Sequence, residues 1–417
     1  MERDEERIAR LSRALAEANL DALCCRLPHN VLMLTGYWPM LGTATALLTR
    51  AGEIALILPE DEWELARRGW VAEDCCETFT PVTLERMGNA EEATRPLIAD
   101  VGRRLGLGRA AIGYEGCAEL TPAPYVALHA GQPSIPDLCA RALPDATLWD
   151  ASSLLATQRA ALTARERSLV ARVCAIAADG FAAAAAAICP GIREVDVAAT
   201  VRGAIERRGL GAPDVERVLA HAFCMSGPRA AHANRSYALT ADRRINQGDF
   251  VLVHVNACVD GFWTDLTRTY VLGEPNRQQL TMFEAVFEAR GRAFRAIRAG
   301  VRASGIDTAA RDCLKHAGYG EAFTHQLGHG VGYGAIYHGN RPRLHPCSDD
   351  VLMTGMTCNV EPAIYIEGMG GMRHCDVVAV SADGMELLSP FQCSIDDLIL
   401  AVGDADARRD DQYAGGR

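Results

Sequence analysis

The segment Asp249-Phe-Val-Leu-Val-His254-Val-Asn256-Ala-Cys-Val-Asp260-Gly261-Phe-Trp-Thr-Asp265-Leu-Thr-Arg268-Thr-Tyr270 constrains this chain more than any other. Strand-like residues run on both sides of a turn at Gly261, the pattern of two strands folded into a hairpin. Asp265 follows His254 by eleven residues, so the hairpin brings an imidazole and a carboxylate face to face. Side chains of these types on one strand face are metal ligands or an acid–base pair. The segment therefore predicts a site as well as a sheet.

At 417 residues the chain is long for one core, and a prior of about 150 residues per domain gives two or three domains. A net charge of -11 argues against a nucleic-acid or anionic-membrane surface. The fifteen cysteines include the adjacent pairs Cys24-Cys25 and Cys75-Cys76 and form no Cys-x-x-Cys motif. They read as buried thiols in a reducing cytoplasm. The charged N-terminus is not that of a signal peptide, and no uninterrupted apolar run reaches the roughly 18 residues of a membrane span. The expected location is cytoplasmic.

Apolar residues at Ile8, Leu11, Leu15 and Ala18 predict an amphipathic helix, followed by a strand from Leu20 and an alternating α/β pattern through Ile54 to Pro59. Near residue 155 the pattern changes. A long helix begins after Thr163, which with Glu166 three residues on fits a capping box. A second helix from Glu194, strand-rich sequence from Val218 to Val271, and helical blocks from Arg277 and Ile306 follow; strands return after Gly328 and dominate to Leu400. The expected architecture is α/β (α+β): an N-terminal α/β domain over 1–155, a second domain over 156–403 with strands inside and helices outside, and a disordered tail over 404–417.

Three further groups carry chemistry. His325-Gln-Leu-Gly328-His329-Gly330-Val-Gly332 sets two imidazoles in a glycine-rich segment whose backbone can approach a small site closely. Asn359-Val-Glu361-Pro places a carboxylate at a strand end, and Gly370-Gly-Met-Arg373-His374-Cys375-Asp376 adds a thiol. Imidazole with thiolate favours zinc, iron or copper over magnesium or calcium. The Gly328–Gly332 run lacks the lysine and spacing of a phosphate-binding loop, and there is no Gly-x-Ser-x-Gly nucleophile elbow. Cys375 paired with His374 or His254 remains a candidate covalent nucleophile.

In order and spacing these groups resemble the pita-bread metallopeptidase family that includes aminopeptidase P, prolidase, methionine aminopeptidase and creatinase. Leu20-Asp-Ala-Leu and Asn30-Val-Leu-Met-Leu-Thr-Gly36 resemble landmarks of the creatinase-type N-terminal domain. The resemblance implies a creatinase-like domain followed by a pita-bread catalytic domain. It also implies a homodimer, and two metals held by Asp, Asp, His, Glu and Glu. Matched motif by motif, the metal roles fall on His254, Asp265, His329, Glu361 and Cys375. Two positions depart: His254-Val-Asn256 stands where the family has Asp-x-Gly, and Arg373-His-Cys375-Asp376 where it has Arg-x-Glu-Asp.

An imidazole offers one usable nitrogen and cannot bridge two ions about 3.5–4 Å apart as a carboxylate does, and a thiolate prefers softer ions. The usual pair of hard ions is therefore not expected. One reading is a hydrolase cleaving a C–N bond in a small polar substrate or short peptide with one divalent ion (zinc, iron or manganese). Others are a metal-free creatinase-type amidinohydrolase or amidohydrolase, a lyase or tailoring enzyme, and a non-catalytic binding protein. The resemblance gives His232 and His325 proton-handling roles, with His338 at a further substrate-facing position. Arg341, Arg343, Arg373 and Tyr333 are candidate substrate contacts, Arg235 another carboxylate clamp, and Arg268 a partner for nearby carboxylates.

Overall fold

The computed structural model describes residues 2–80, 82–85, 87–116, 134–235 and 240–402; the tail expected to be disordered, 404–417, lies outside them. The chain forms two compact units, Met1–Arg159 and Ala160–Arg417.

The first unit opens with helix Glu5–Glu17, where the Asp4 side chain accepts the Arg7 N–H at 3.0 Å and satisfies a first-turn donor. Ile8, Leu11 and Leu15 are buried as their spacing predicts; Ala18 is the exposed C-cap instead, and Arg7 is buried. Six strands follow: β1 (Ala22–Cys25), β2 (Thr45–Thr49), β3 (Ile54–Pro59), β4 (Cys76–Phe79), β5 (Ala111–Tyr114) and β6 (Thr147–Asp150). They form one sheet in the order β4-β3-β2-β1-β5-β6. Helices Ala90–Arg104 and Ile135–Ala142 lay Ile98, Val101 and Leu138 against Leu47, Ile57 and Ile112 of the sheet. Each such aliphatic side chain stabilises the unit by roughly 1.5–3 kcal/mol.

The second unit begins with helix Ala164–Ala187, and the Thr163/Glu166 capping box is formed in both directions. By length and composition this helix is apolar enough to cross a membrane, contrary to the expectation that no apolar stretch of the chain is long enough. Within the unit it buries Val170, Val173, Ile176 and Phe181. Strands β7 (Val218–Ser226), β8 (Phe250–Val259) and β9 (Phe262–Leu272) pair antiparallel in sequence. The β8–β9 turn is Asp260-Gly261, with φ of 48° and 91°, as a two-residue hairpin twisted with its strands requires. Strand β10 (Thr357–Val360), hairpin β11 (Ala363–Ile366) and β12 (Gly370–Arg373), and strands β13 (Asp376–Val380), β14 (Met385–Leu387) and β15 (Ile399–Leu400) complete the unit. Arg268 of β9 is fully buried; its Nη2 donates to Oδ1 of Asp376, the first residue of β13, at 2.7 Å, and Arg290 Nε meets the other oxygen at 2.5 Å.

Candidate metal centre

The hairpin register pairs His254 with Thr267 and Asn256 with Asp265. Since side chains alternate across a strand, these four share one face, and His254 meets Asp265 on the diagonal, Nδ1 to Oδ1 at 3.7 Å. An antiparallel bridge between Thr267 and Cys375 hangs the β12–β13 segment on the same edge. It sets Cys375 Sγ 3.7 Å from Asp265 Oδ1. Glu361 follows β10, its N–H donating to Leu327 O at 2.8 Å. One donor atom each from Asp265, Glu361 and Cys375 lies within 4.8 Å of the others, and all three residues are buried.

His329 enters on the glycine-rich segment. A Cβ at Gly328 would sit 2.1 Å from Asn359 O, and one at Gly330 2.0 Å from Arg341 O. Only glycine permits that closeness. The main chain is thereby clamped on β10, with His329 N donating to Asn359 Oδ1 at 2.6 Å and Asn359 N to His329 O at 3.0 Å. The His329 Nδ1–H donates to Gly330 O at 3.1 Å, so the Nε2 lone pair faces Asp265 Oδ2 at 3.5 Å, with Asn359 Nδ2 at 3.3 Å. A ring N–H held by a backbone carbonyl while the other nitrogen points at an acid is the arrangement of a metal-ligating histidine.

His254 is placed differently. Its Nε2 meets Asn256 Oδ1 at 3.1 Å and its Nδ1 meets Thr267 Oγ1 at 3.0 Å. Thr267 Oγ1 accepts from Arg373 Nε at 3.1 Å, so its own proton is available to Nδ1. An amide oxygen only accepts, so the proton of His254 is on Nε2. One directed chain results: Arg373 to Thr267 to His254 to Asn256. A second arm runs from Arg373 Nη1 to the Tyr365 hydroxyl at 3.5 Å, and from Tyr365 to His325 Nε2 at 3.1 Å. Arg373 Nη1 is also 3.9 Å from Glu361 Oε2.

Burial dominates the electrostatics. It lowers His254 to about 4, and it lowers His325 to about 3, with the Arg373 charge adding to the effect. Burial, then the neighbouring Asp265 charge, pushes Glu361 up to about 7. The same two causes raise the Cys375 thiol well above its ordinary value. For Asp265 burial acts in the opposite sense to the outcome: His254, His329 and Arg373 outweigh it and hold the carboxyl below the usual range. His329 is raised because Asp265 outweighs the desolvation of its charged form.

Other expected site residues lie elsewhere or are already engaged. Arg341 and Arg343 both pair with Asp350 at 2.9 Å. Tyr333 is buried with its hydroxyl on Glu166, and Arg373 is consumed by the two arms. His325 has Gln326 O on Nδ1 at 2.7 Å and Tyr365 on Nε2, and burial with the Arg373 charge favours its neutral form. His232 Nε2 faces Glu367 Oε1 at 3.3 Å beside the β11–β12 turn. The His338 ring stacks on that of His329 at 4.9 Å. His374 turns to Asp376, Nε2 to Oδ2 at 3.3 Å. Since the raised Cys375 thiol donates to Asp265 O at 3.2 Å, its environment opposes the thiolate that a covalent nucleophile needs. Thr267, Asn359 and Tyr365 were missed; the hairpin register alone would have signalled Thr267.

The donor set fits one small divalent ion. Bonds of about 2.0–2.3 Å in a tetrahedron give ligand–ligand edges of about 3.3–3.7 Å. His329 Nε2 lies 3.5 Å from Asp265 Oδ2 and Cys375 Sγ 3.7 Å from Asp265 Oδ1, so the carboxylate offers an oxygen at edge distance to each of them. Two buried carboxyls and a thiol are crowded together, with Arg373 and the His329 imidazole as the compensating groups, and an ion would add positive charge there.

Known proteins share this arrangement of domains. Residues 7–161 match the creatinase/prolidase N-terminal domain. An Xaa-Pro dipeptidase of Pyrococcus furiosus is 35% identical over 227 residues, 54% of this chain and 62% of the relative; the chain thus spans under two thirds of that relative's length. The prolidase structure from Pyrococcus horikoshii superposes with a TM-score of 0.72 at 26% identity, over 92% of this chain and 98% of that one. Dipeptidase PepE from Mycobacterium ulcerans gives 0.72 at 25% identity, over 96% and 100%. Residues 168–382, which hold all five converging groups, match the model of metallopeptidase family M24, and with more than half of its length matched the chain belongs to that family.

Proposed function

We propose that this protein is a hydrolase that cleaves the C–N bond preceding proline in short peptides at a single divalent ion. The observation that carries this reading is the convergence of Asp265, Glu361 and Cys375 within 4.8 Å beside His329, whose Nε2 faces Asp265 Oδ2. Likeness to proteins named Xaa-Pro dipeptidase and prolidase supports the substrate class. When bound, the ion would polarise the scissile carbonyl and acidify a water. Asp265, His329, Glu361 and Cys375 would hold it, and Arg373 would orient Glu361 and the flanking imidazoles through Thr267 and Tyr365. His338, stacked on His329, and His232, at the β11–β12 turn, are the imidazoles left to meet a substrate or to donate a proton to the leaving nitrogen.

The same proposal includes a homodimer, a cytoplasmic location, and a domain boundary near residue 155. The test is hydrolysis of Xaa-Pro dipeptides and longer Xaa-Pro peptides by protein purified without chelator, with light scattering for the dimer. Cleavage abolished by chelator and restored by one equivalent of metal supports the reading. Hydrolysis of creatine unaffected by chelator would replace it with the metal-free amidinohydrolase, and metal binding without turnover of any peptide would leave a lyase or a binding protein.

A further inference from the structure

The two histidines of the centre are prepared for opposite tasks. His329 spends its Nδ1–H on Gly330 O and turns its Nε2 lone pair toward Asp265 Oδ2, 3.5 Å away. His254 spends both nitrogens on side chains, at 3.0 Å to Thr267 Oγ1 and 3.1 Å to Asn256 Oδ1. A neutral imidazole has one lone pair, and here the Thr267 hydroxyl, itself polarised by Arg373 Nε at 3.1 Å, takes it. Asn256 lies two residues from His254 on the same strand face, so one short stretch of β8 supplies both the imidazole and the amide oxygen that fixes its proton. Within that chain His254 Nδ1 lies 3.7 Å from Asp265 Oδ1, while His329 faces the other oxygen, Oδ2.

We infer that His254 is no ligand: with Asn256, Thr267 and Arg373 it fills the place of a first ion, and the centre takes one zinc-class ion through Asp265, His329, Glu361 and Cys375. This rests on the single-ion reading above and adds to it the exclusion of His254 from the ligands and the softness of the ion. Two carboxylates, one imidazole and one thiolate make a mixed tetrahedral set, which zinc and cobalt accept and magnesium or calcium do not.

Cobalt(II) is the probe. Metal-depleted whole protein titrated with cobalt(II) is expected to bind one equivalent per chain and to develop a near-ultraviolet thiolate-to-cobalt band. Cys375→Ser is expected to lose that band, and His254→Gln to keep the stoichiometry, the band and the visible spectrum. Should His254→Gln fail to fold, as judged by circular dichroism, His254→Asn carries the same arm. The triple variant H254D/N256G/C375E is expected to gain a second equivalent, read with manganese(II). The inference is overturned by two cobalt equivalents in the parent protein, by absence of the sulfur band, by a changed visible spectrum in the His254 variant, or by a triple variant that stays at one equivalent. A protein that cleaves Xaa-Pro peptides with two ions bound would keep the proposed peptidase activity and lose both the single-ion reading and this inference. One with the single sulfur-ligated ion and no such cleavage would do the reverse.

Discussion

Glu115 in the first unit and Glu361 in the second are both pushed up to about 7 by burial, yet their surroundings are opposite in kind. Glu115 accepts N–H groups from Arg26, Leu27 and the Asn30 side chain at 2.5–2.6 Å; it ties β1 and the start of helix Pro28–Thr35 to the end of β5 and needs nothing from outside. Glu361 faces a second carboxylate and a thiol, with Asn359 and Arg373 as partial compensation. A buried acid surrounded by donors is a brace, whereas one surrounded by acceptors is half of a binding site. The difference separates structural from functional carboxylates where burial alone does not.

The largest effect that sharpens this contrast is expected at Asp265, the acid shared by every contact in the centre. Asp265→Asn should abolish ion retention and lower hydrolysis by about 10²–10³-fold, the several kcal/mol that Lewis-acid catalysis supplies. Metal-depleted protein should melt no lower than the parent, because one of two crowded carboxylates is gone. Metal analysis with calorimetry checks both, and an Asp265→Asn protein that keeps its ion would erase the distinction drawn here.

Next in size is Gly330→Ala. Its Cβ would lie 2.0 Å from Arg341 O, so the His329 segment must move; a cost of about 1–3 kcal/mol in urea unfolding is expected, together with weakened ion binding. Loss of stability with intact ion binding would separate the glycine from the site.

The smallest effect is at the brace. The folded pKa of Glu115 is raised above its unfolded value, so its contribution is fully present below about pH 4.5 and is lost as pH rises through about 7. Allowing for the partial exposure of this carboxyl, the loss is about 1–2 kcal/mol. Glu115→Gln should flatten the stability of the first unit between pH 5 and 8 while leaving ion content unchanged, measured by unfolding at the two pH values and by metal analysis. A fall in ion content would contradict its purely structural role.

Much of this was legible from residues alone. The alternation around Asp260-Gly261 fixed the hairpin, and with it the shared face of His254 and Asp265; the Thr163/Glu166 box marked the long helix; Gly328 and Gly330 announced a close backbone approach. What escaped was direction. Sequence spacing brings His254 to the centre but does not say which way its lone pair points, and that depends on Thr267 across the hairpin and on Arg373 from a distant strand. The arginines near the site were equally opaque, since the partner of Arg341 and Arg343 is Asp350 and not a substrate. Ala18 left its expected buried place because the helix ends at Glu17, which makes it the exposed C-cap.

The most direct test of the account is a metal count on protein purified without chelator, by mass spectrometry against protein concentration. One equivalent of zinc or a comparable borderline ion per chain, retained by the parent and lost with Asp265→Asn, is the predicted result. Two equivalents of manganese per chain would contradict it, whatever the rate of peptide cleavage.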